Sequence, residues 1–185
     1  DDVDAYILKP YTTSSFRKII LEAASTKVSP SMYQSTINEG KKYFDGGDYE
    51  EAERVFEQAI TLEKKPALAF AYYGMCKYEK KDLAEAKEVF QQGLRCNKIH
   101  FKCLTGLFHV LVAQKDNEEA YEVAKRISQY YPANPKYLSE ILRLAIVNNK
   151  IEDVERYYAL FCNLDTDDYI LPNHFHIIAV TFDAS

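Results

Sequence analysis

A short motif that returns at a fixed interval constrains this chain more than any other feature. Asp48-Tyr49-Glu50-Glu51-Ala52 comes back 34 residues later as Asp82-Leu83-Ala84-Glu85-Ala86, and after another 34 as Asp116-Asn117-Glu118-Glu119-Ala120. An Asp at an N-cap accepts from the free amides of the first helical turn, and a Glu three residues on is placed to answer the cap's own amide. Each copy therefore reads as a helix start, and the same start at a constant period predicts a stack of helical repeats.

Composition agrees with that expectation and narrows the work such a chain can do. Of 185 residues, 47% are hydrophobic, enough for a core without the polarity of a disordered chain. Fifteen Tyr and ten Phe beside only six Gly suit helices packed through aromatic side chains. No run approaches the roughly 18 apolar residues of a membrane helix, and the opening DDVDAYILKP lacks the basic-then-apolar order of a signal peptide. It also lacks an initial Met, as expected of a piece of a longer protein. A formal charge of −5 disfavours nucleic acid, which demands a dense field of Lys and Arg. The expectation is a cytoplasmic protein with neither nucleic acid nor a membrane as partner. Cys76, Cys96, Cys103 and Cys162 form no Cys-x-x-Cys and are read as buried free thiols.

The first thirty residues do not share the repeat. Ala5-Tyr6-Ile7-Leu8 is an apolar run suited to a buried strand; Lys9-Pro10 follows, then a Thr/Ser-rich helix start leading into Phe16 and Ile19-Ile20-Leu21. From Asp4-Ala5-Tyr6-Ile7-Leu8-Lys9-Pro10-Tyr11-Thr12 onward, this segment resembles the last strand and last helix of a bacterial response-regulator receiver domain. That resemblance implies that Lys9 pairs with a phosphorylated aspartate, that Lys9-Pro10 carries the family's cis peptide, and that Tyr6 stands at the aromatic switch position. The acceptor aspartate and acidic metal-binding pair of such a domain belong to earlier strands, so this stretch alone cannot take a phosphate. Without its sheet, the strand is expected to be displaced, drawn into the following helix, or paired with a second copy to give a homodimer. The other reading is a plain apolar entry segment, and Ser25 to Ser31, closed around Pro30, reads as the boundary.

In the register set by the caps, Gly40, Tyr43, Ala52, Phe56 and Ala59 have the spacing of a tetratricopeptide repeat, and Gly74, Ala86, Phe90 and Gly93 repeat it. The third copy carries Phe108 in place of the glycine but keeps Ala120, Ala124 and Pro132; the fourth is weaker, with Lys150 where the capping Asp belongs. The resemblance covers about residues 33–164. It implies an all-α superhelix of four helix-turn-helix repeats, about 33–66, 67–100, 101–134 and 135–166. Within a repeat region of 29–166, these follow a receiver remnant at 1–28 and precede a capping helix in 167–185. The helices expected are one from the remnant, eight from the repeats and one at the end.

Chemistry is thin by comparison. No Gly-rich phosphate loop, Gly-x-Ser-x-Gly or His-Glu-x-x-His occurs, so neither an enzyme nor a cofactor is expected. His174 and His176 sit two apart, on different faces of a helix, which argues against a metal. Stacked helix pairs instead offer a groove lined by their first helices. The tetratricopeptide resemblance places Lys41, Phe44, Met75, Tyr78, Lys102, His109, Lys136 and Arg143 in it, a basic and apolar lining that suits a protein or peptide partner with acidic groups. Each of these can equally be a solvated charge or a core side chain. The chaperone-tail clamp of some relatives is not reproduced, since Ile37 and Tyr72 replace its Lys and Asn, and Gly106 removes its Arg. The two resemblances together imply the interaction module of a two-component, phosphorelay response regulator. The alternative is a structural scaffold or self-assembly module without a phosphorelay role.

Overall fold

A computed structural model describes residues 12–28, 30–131 and 135–162 of the chain. Tyr6, Lys9, Pro10, the strand expected around them, His174, His176 and the helix expected after residue 166 lie outside the described residues. Those described form helices α1 (Thr13–Val28), α2 (Met32–Asp45), α3 (Tyr49–Thr61), α4 (Ala67–Glu79), α5 (Leu83–Cys96), α6 (Phe101–Gln114), α7 (Asn117–Tyr130), α8 (Pro135–Val147) and α9 (Ile151–Cys162). No strand occurs among the described residues. The chain divides into two compact units, Asp1–Gly106 and Leu107–Ser185, with the division inside α6.

The recurring Asp caps α3, α5 and α7 as expected: Asp48, Asp82 and Asp116 accept through their carboxylates from the amides of Glu51, Glu85 and Glu119, each at 3.2 Å. Glu51 and Glu85 do not return the bond. The amides of Asp48, Asp82 and Asp116 donate instead to the carbonyls of Tyr43, Lys77 and Leu111, while Gly47, Lys81 and Lys115 donate to Phe44, Tyr78 and Val112. This paired arrangement is the Schellman closure of the preceding helix. One residue thus ends one helix with its amide and starts the next with its carboxylate, which leaves no free cap amide for a glutamate. Glu51 turns to Arg54 and Glu85 to Lys77.

The closure needs a left-handed residue before each cap, and these stand at Gly47 (φ 80°), Lys81 (66°), Lys115 (60°) and Asn149 (54°). The fourth turn keeps the same two backbone bonds, Asn149 to Ile146 and Lys150 to Ala145, although Lys150 has no carboxylate to offer α9. Backbone geometry therefore persists where the side-chain cap is lost.

Within the first unit, α2 packs on α3, α3 on α4 and α4 on α5. Close approach depends on glycine set against phenylalanine. A Cβ on Gly40 would stand 2.5 Å from the Phe56 ring, and one on Gly74 2.8 Å from Phe90. One period later the sizes exchange, with Phe108 at the glycine position and Ala124 at the phenylalanine position, both buried. Proline at the head of α4 brings no side-chain cap, and the Tyr33 hydroxyl fills in by accepting from the Ala69 amide at 3.1 Å. Within the second unit α7 packs on α8 and α8 on α9.

Candidate functional site

Three first helices bring the clearest site together inside the first unit. On α4, Tyr72 is 5% exposed, stacked on Phe56 at 5.3 Å and 14°, and met edge-on by Phe44 of α2 at 6.5 Å. Lys41 of α2 places its ammonium 5.8 Å from the centre of the Tyr72 ring, and Lys102 of α6 places its own at 5.2 Å. Both distances are within the range where an aromatic quadrupole attracts a cation. Two lysines expected in the groove thus converge, on a residue whose sequence signal was only a departure from the chaperone-tail pattern.

Packing explains these identities. Ile37 is 1% exposed and belongs to the same core cluster as Phe56 and Tyr72, so this groove position is occupied by core. Ala71, one turn before Met75 on α4, is fully buried. Gly106 leaves room for Phe90, whose ring would lie 2.3 Å from a Cβ there. Phe44 and Met75 are half-buried and packed against the core cluster, and Tyr78 carries Lys81 over its ring at 5.6 Å.

Beside Lys102, His100 caps α6: its Nδ1 accepts from the Cys103 amide at 3.3 Å. Burial, and secondarily the charge of Lys102, lower its pKa to about 4, so the imidazole is neutral and free to accept. Cys76 and Cys103 are buried free thiols, and Cys96 is half-buried. Burial is the main cause that pushes the Cys76 thiol up to about 12, and it raises Cys103 further, which leaves both poor nucleophiles.

In the second unit His109 lies against Phe108 at 5.5 Å, and Phe108 meets Tyr137 at 5.8 Å. Arg143 is held within its own helix by Glu140, at 2.9 Å. Lys136 belongs to α8, and its side chain is outside the described residues. Among the described residues no group of three or more His, Cys, Asp or Glu is placed to hold a metal, and no helix is long and apolar enough to cross a membrane.

Solved structures share this fold at low identity. YrrB, described as a tetratricopeptide protein with an unusual peptide-binding site, is 17% identical over 87% of this chain and 81% of its own, with a TM-score of 0.70. A tetratricopeptide repeat protein from Parabacteroides merdae is 15% identical over 82% of this chain and 60% of its own, at 0.72. The first tetratricopeptide domain of Spaghetti (RPAP3), bound to the HSP90 peptide SRMEEVD, is 18% identical over 63% of this chain and 95% of its own, at 0.59. Among curated proteins, the calcineurin-binding protein 1 of Arabidopsis thaliana is 29% identical over 90 residues, which are 49% of this chain and 5% of that protein's length. Residues 31–156 match the CABIN1 N-terminal domain, well over half of the chain, and the protein thus belongs to that family.

Proposed function

We propose that the repeats form a non-enzymatic protein-interaction module that holds a peptide segment of a partner along its first helices. The observation that carries this reading is the meeting of Lys41 and Lys102 over Tyr72. Side chains from three helices give one surface both a charge and an aromatic wall, as an extended or helical peptide requires. Likeness to folds whose descriptions name peptide binding adds support. His109, Lys136 and Arg143 of the second unit are assigned the same use by register. A pull-down with the wild type beside Lys41→Glu/Lys102→Glu tests it, with partner recovery expected to fall; equal recovery of the same partner by both removes the proposal.

A finer form of the reading makes this the output of a two-component response regulator, with receiver phosphorylation acting through Tyr6, Lys9, Pro10 and α1. It rests on the resemblance of residues 4–12. In a chain that carries a whole receiver ahead of these residues, hydrogen exchange over residues 13–45 is expected to change with a phosphate mimic, and unchanged exchange would remove this reading. A second reading, self-assembly, is favoured by α1, which leaves Phe16, Ile20 and Leu21 42%, 49% and 58% exposed. Light scattering decides it: dimers that Phe16→Ser/Ile20→Ser dissociates support it, and a strict monomer rules it out.

A further inference from the structure

Two of the cysteines come together where α5 gives way to α6. Cys103, in the first turn of α6, is fully buried and donates its thiol to the Ala67 carbonyl at 3.4 Å. Its sulfur lies against α5, since a Cβ on Gly93 would stand 2.5 Å from it. Cys96 is three residues on from Gly93, on the same face of α5, and Cβ positions so spaced are about 5–6 Å apart. The two spacings together put the Cys103 sulfur within about 8 Å of the Cys96 Cβ. After burial, the charge of Cys96 is the next cause that raises the Cys103 thiol, and Tyr33, raised chiefly by burial, feels the charges of both. Cys76 stands apart, in the core cluster around Phe56.

The end of α5 is where the remaining gap can close. Cys96 is the last residue of that helix, and Asn97 beyond it is extended (φ −145°, ψ 103°), so no further helical turn holds the Cys96 backbone. A disulfide brings the two Cβ atoms to about 3.5–4.5 Å. Closure therefore costs the Cys103 bond to Ala67 and a shift at this helix end.

We propose that Cys96 and Cys103 form a redox pair, which a small-molecule disulfide such as oxidised glutathione converts into an intramolecular disulfide. Half-buried Cys96 is the thiol a solvent oxidant reaches. Its thiolate attacks one sulfur of the oxidant, and a glutathione thiolate leaves. The Cys103 thiolate then attacks the Cys96 sulfur of the mixed disulfide and expels the second glutathione. The chain gives up two electrons, and the two cysteine protons end on the two glutathione thiols. Burial makes the Cys103 thiolate scarce, yet the thiolate of a weakly acidic thiol is the stronger nucleophile. Closure should accordingly be slow. The bond would fasten the last turn of α5 to the first turn of α6.

The full chain, incubated in glutathione buffers of rising oxidised share, quenched in acid, alkylated and digested without reduction, tests this by mass spectrometry. Trypsin cuts after Arg95, Lys98, Lys102 and Lys115, so the bond joins peptide 96–98 to peptide 103–115. That joined pair should accumulate with the oxidised share and vanish on adding dithiothreitol. Cys103→Ser should instead keep glutathione on Cys96, and Cys96→Ser should leave Cys103 reduced. Glutathione that stays on Cys96 of the wild type with no joined pair overturns the proposal, as does a wild type in which Cys96 takes up nothing. A pair that forms only in guanidinium chloride, or a Cys103 joined to Cys76 or Cys162, overturns it too. These wild-type readings decide the matter whether or not the serine variants fold.

Discussion

In the first unit Glu53 of α3, Lys77 of α4 and Glu85 of α5 form a chain of charges, with Lys77 Nζ 3.2 Å from Glu53 and 2.8 Å from Glu85. In the second unit the positions two periods later hold Tyr121, Ala145 and Asp153, and the Tyr121 hydroxyl donates directly to the Asp153 carboxylate. The difference follows from who supplies the proton. Two carboxylates cannot join helices without a cation between them, so Lys77 is required, whereas a phenol carries its own donor and the middle position can be a buried alanine. Lys125 and Arg156 then balance Asp153, at 3.6 and 2.9 Å.

Removing the cation should break the comparison most strongly. Lys77 and Glu53 are only 14% and 13% exposed, so Lys77→Ala takes the nearer cation from a largely buried carboxylate and leaves it only the more exposed Lys80 at 3.4 Å; a loss of about 2–3 kcal/mol is expected in chemical denaturation. Adding Glu53→Tyr, which transplants the second unit's solution, should restore at least half of it. Failure to do so would mean that the two arrangements are not equivalent.

Acid should separate the units next. His100 is lowered to about 4, so the stability it contributes is complete above its unfolded value near 6.5 and is lost as pH falls towards 4, by roughly 2–3 kcal/mol. Hydrogen exchange in α6 should accelerate over that window, and His100→Asn should flatten the response. Asp153, held below the ordinary carboxylate range first by the Tyr121 phenol, contributes stability that is complete above that range and lost only as pH falls through it. The second unit should therefore yield at lower pH.

Tyr121→Phe should cost about 1 kcal/mol, since Lys125 and Arg156 remain beside Asp153. Calorimetry should record less, not more, acid sensitivity from that carboxylate. The smallest effect has the opposite sign. Lys81→Gly and Lys115→Gly replace a strained left-handed lysine and should each stabilise by about 0.5 kcal/mol, while Gly47→Ala should destabilise by about 1 kcal/mol.

The helix starts were legible because an Asp cap is local chemistry: residue type and spacing sufficed for Asp48, Asp82 and Asp116. The fate of the glutamates was not, since it depended on where the cap amide went, and that is fixed by the turn behind it. Lys81 and Lys115 give no sign in their residue type of a left-handed backbone. Gly106 was readable as a missing arginine but not as room for Phe90, a ring from the preceding helix. Lys41 and Lys102 were picked out by register, yet their meeting over Tyr72 joins residues on three helices and has no local signature.

The shared residue between paired helices also limits how this chain can change length. One inserted residue between positions 47 and 48 would take the amide from Tyr43 or the carboxylate from Glu51, because no single residue could still reach both. Insertions and deletions should therefore be poorly tolerated inside the turns at 46–48, 80–82 and 114–116 and better tolerated in the connections at 62–66 and 97–100. Variation in the length of such arrays would then accumulate between hairpins, with the hairpin itself inherited as an indivisible piece.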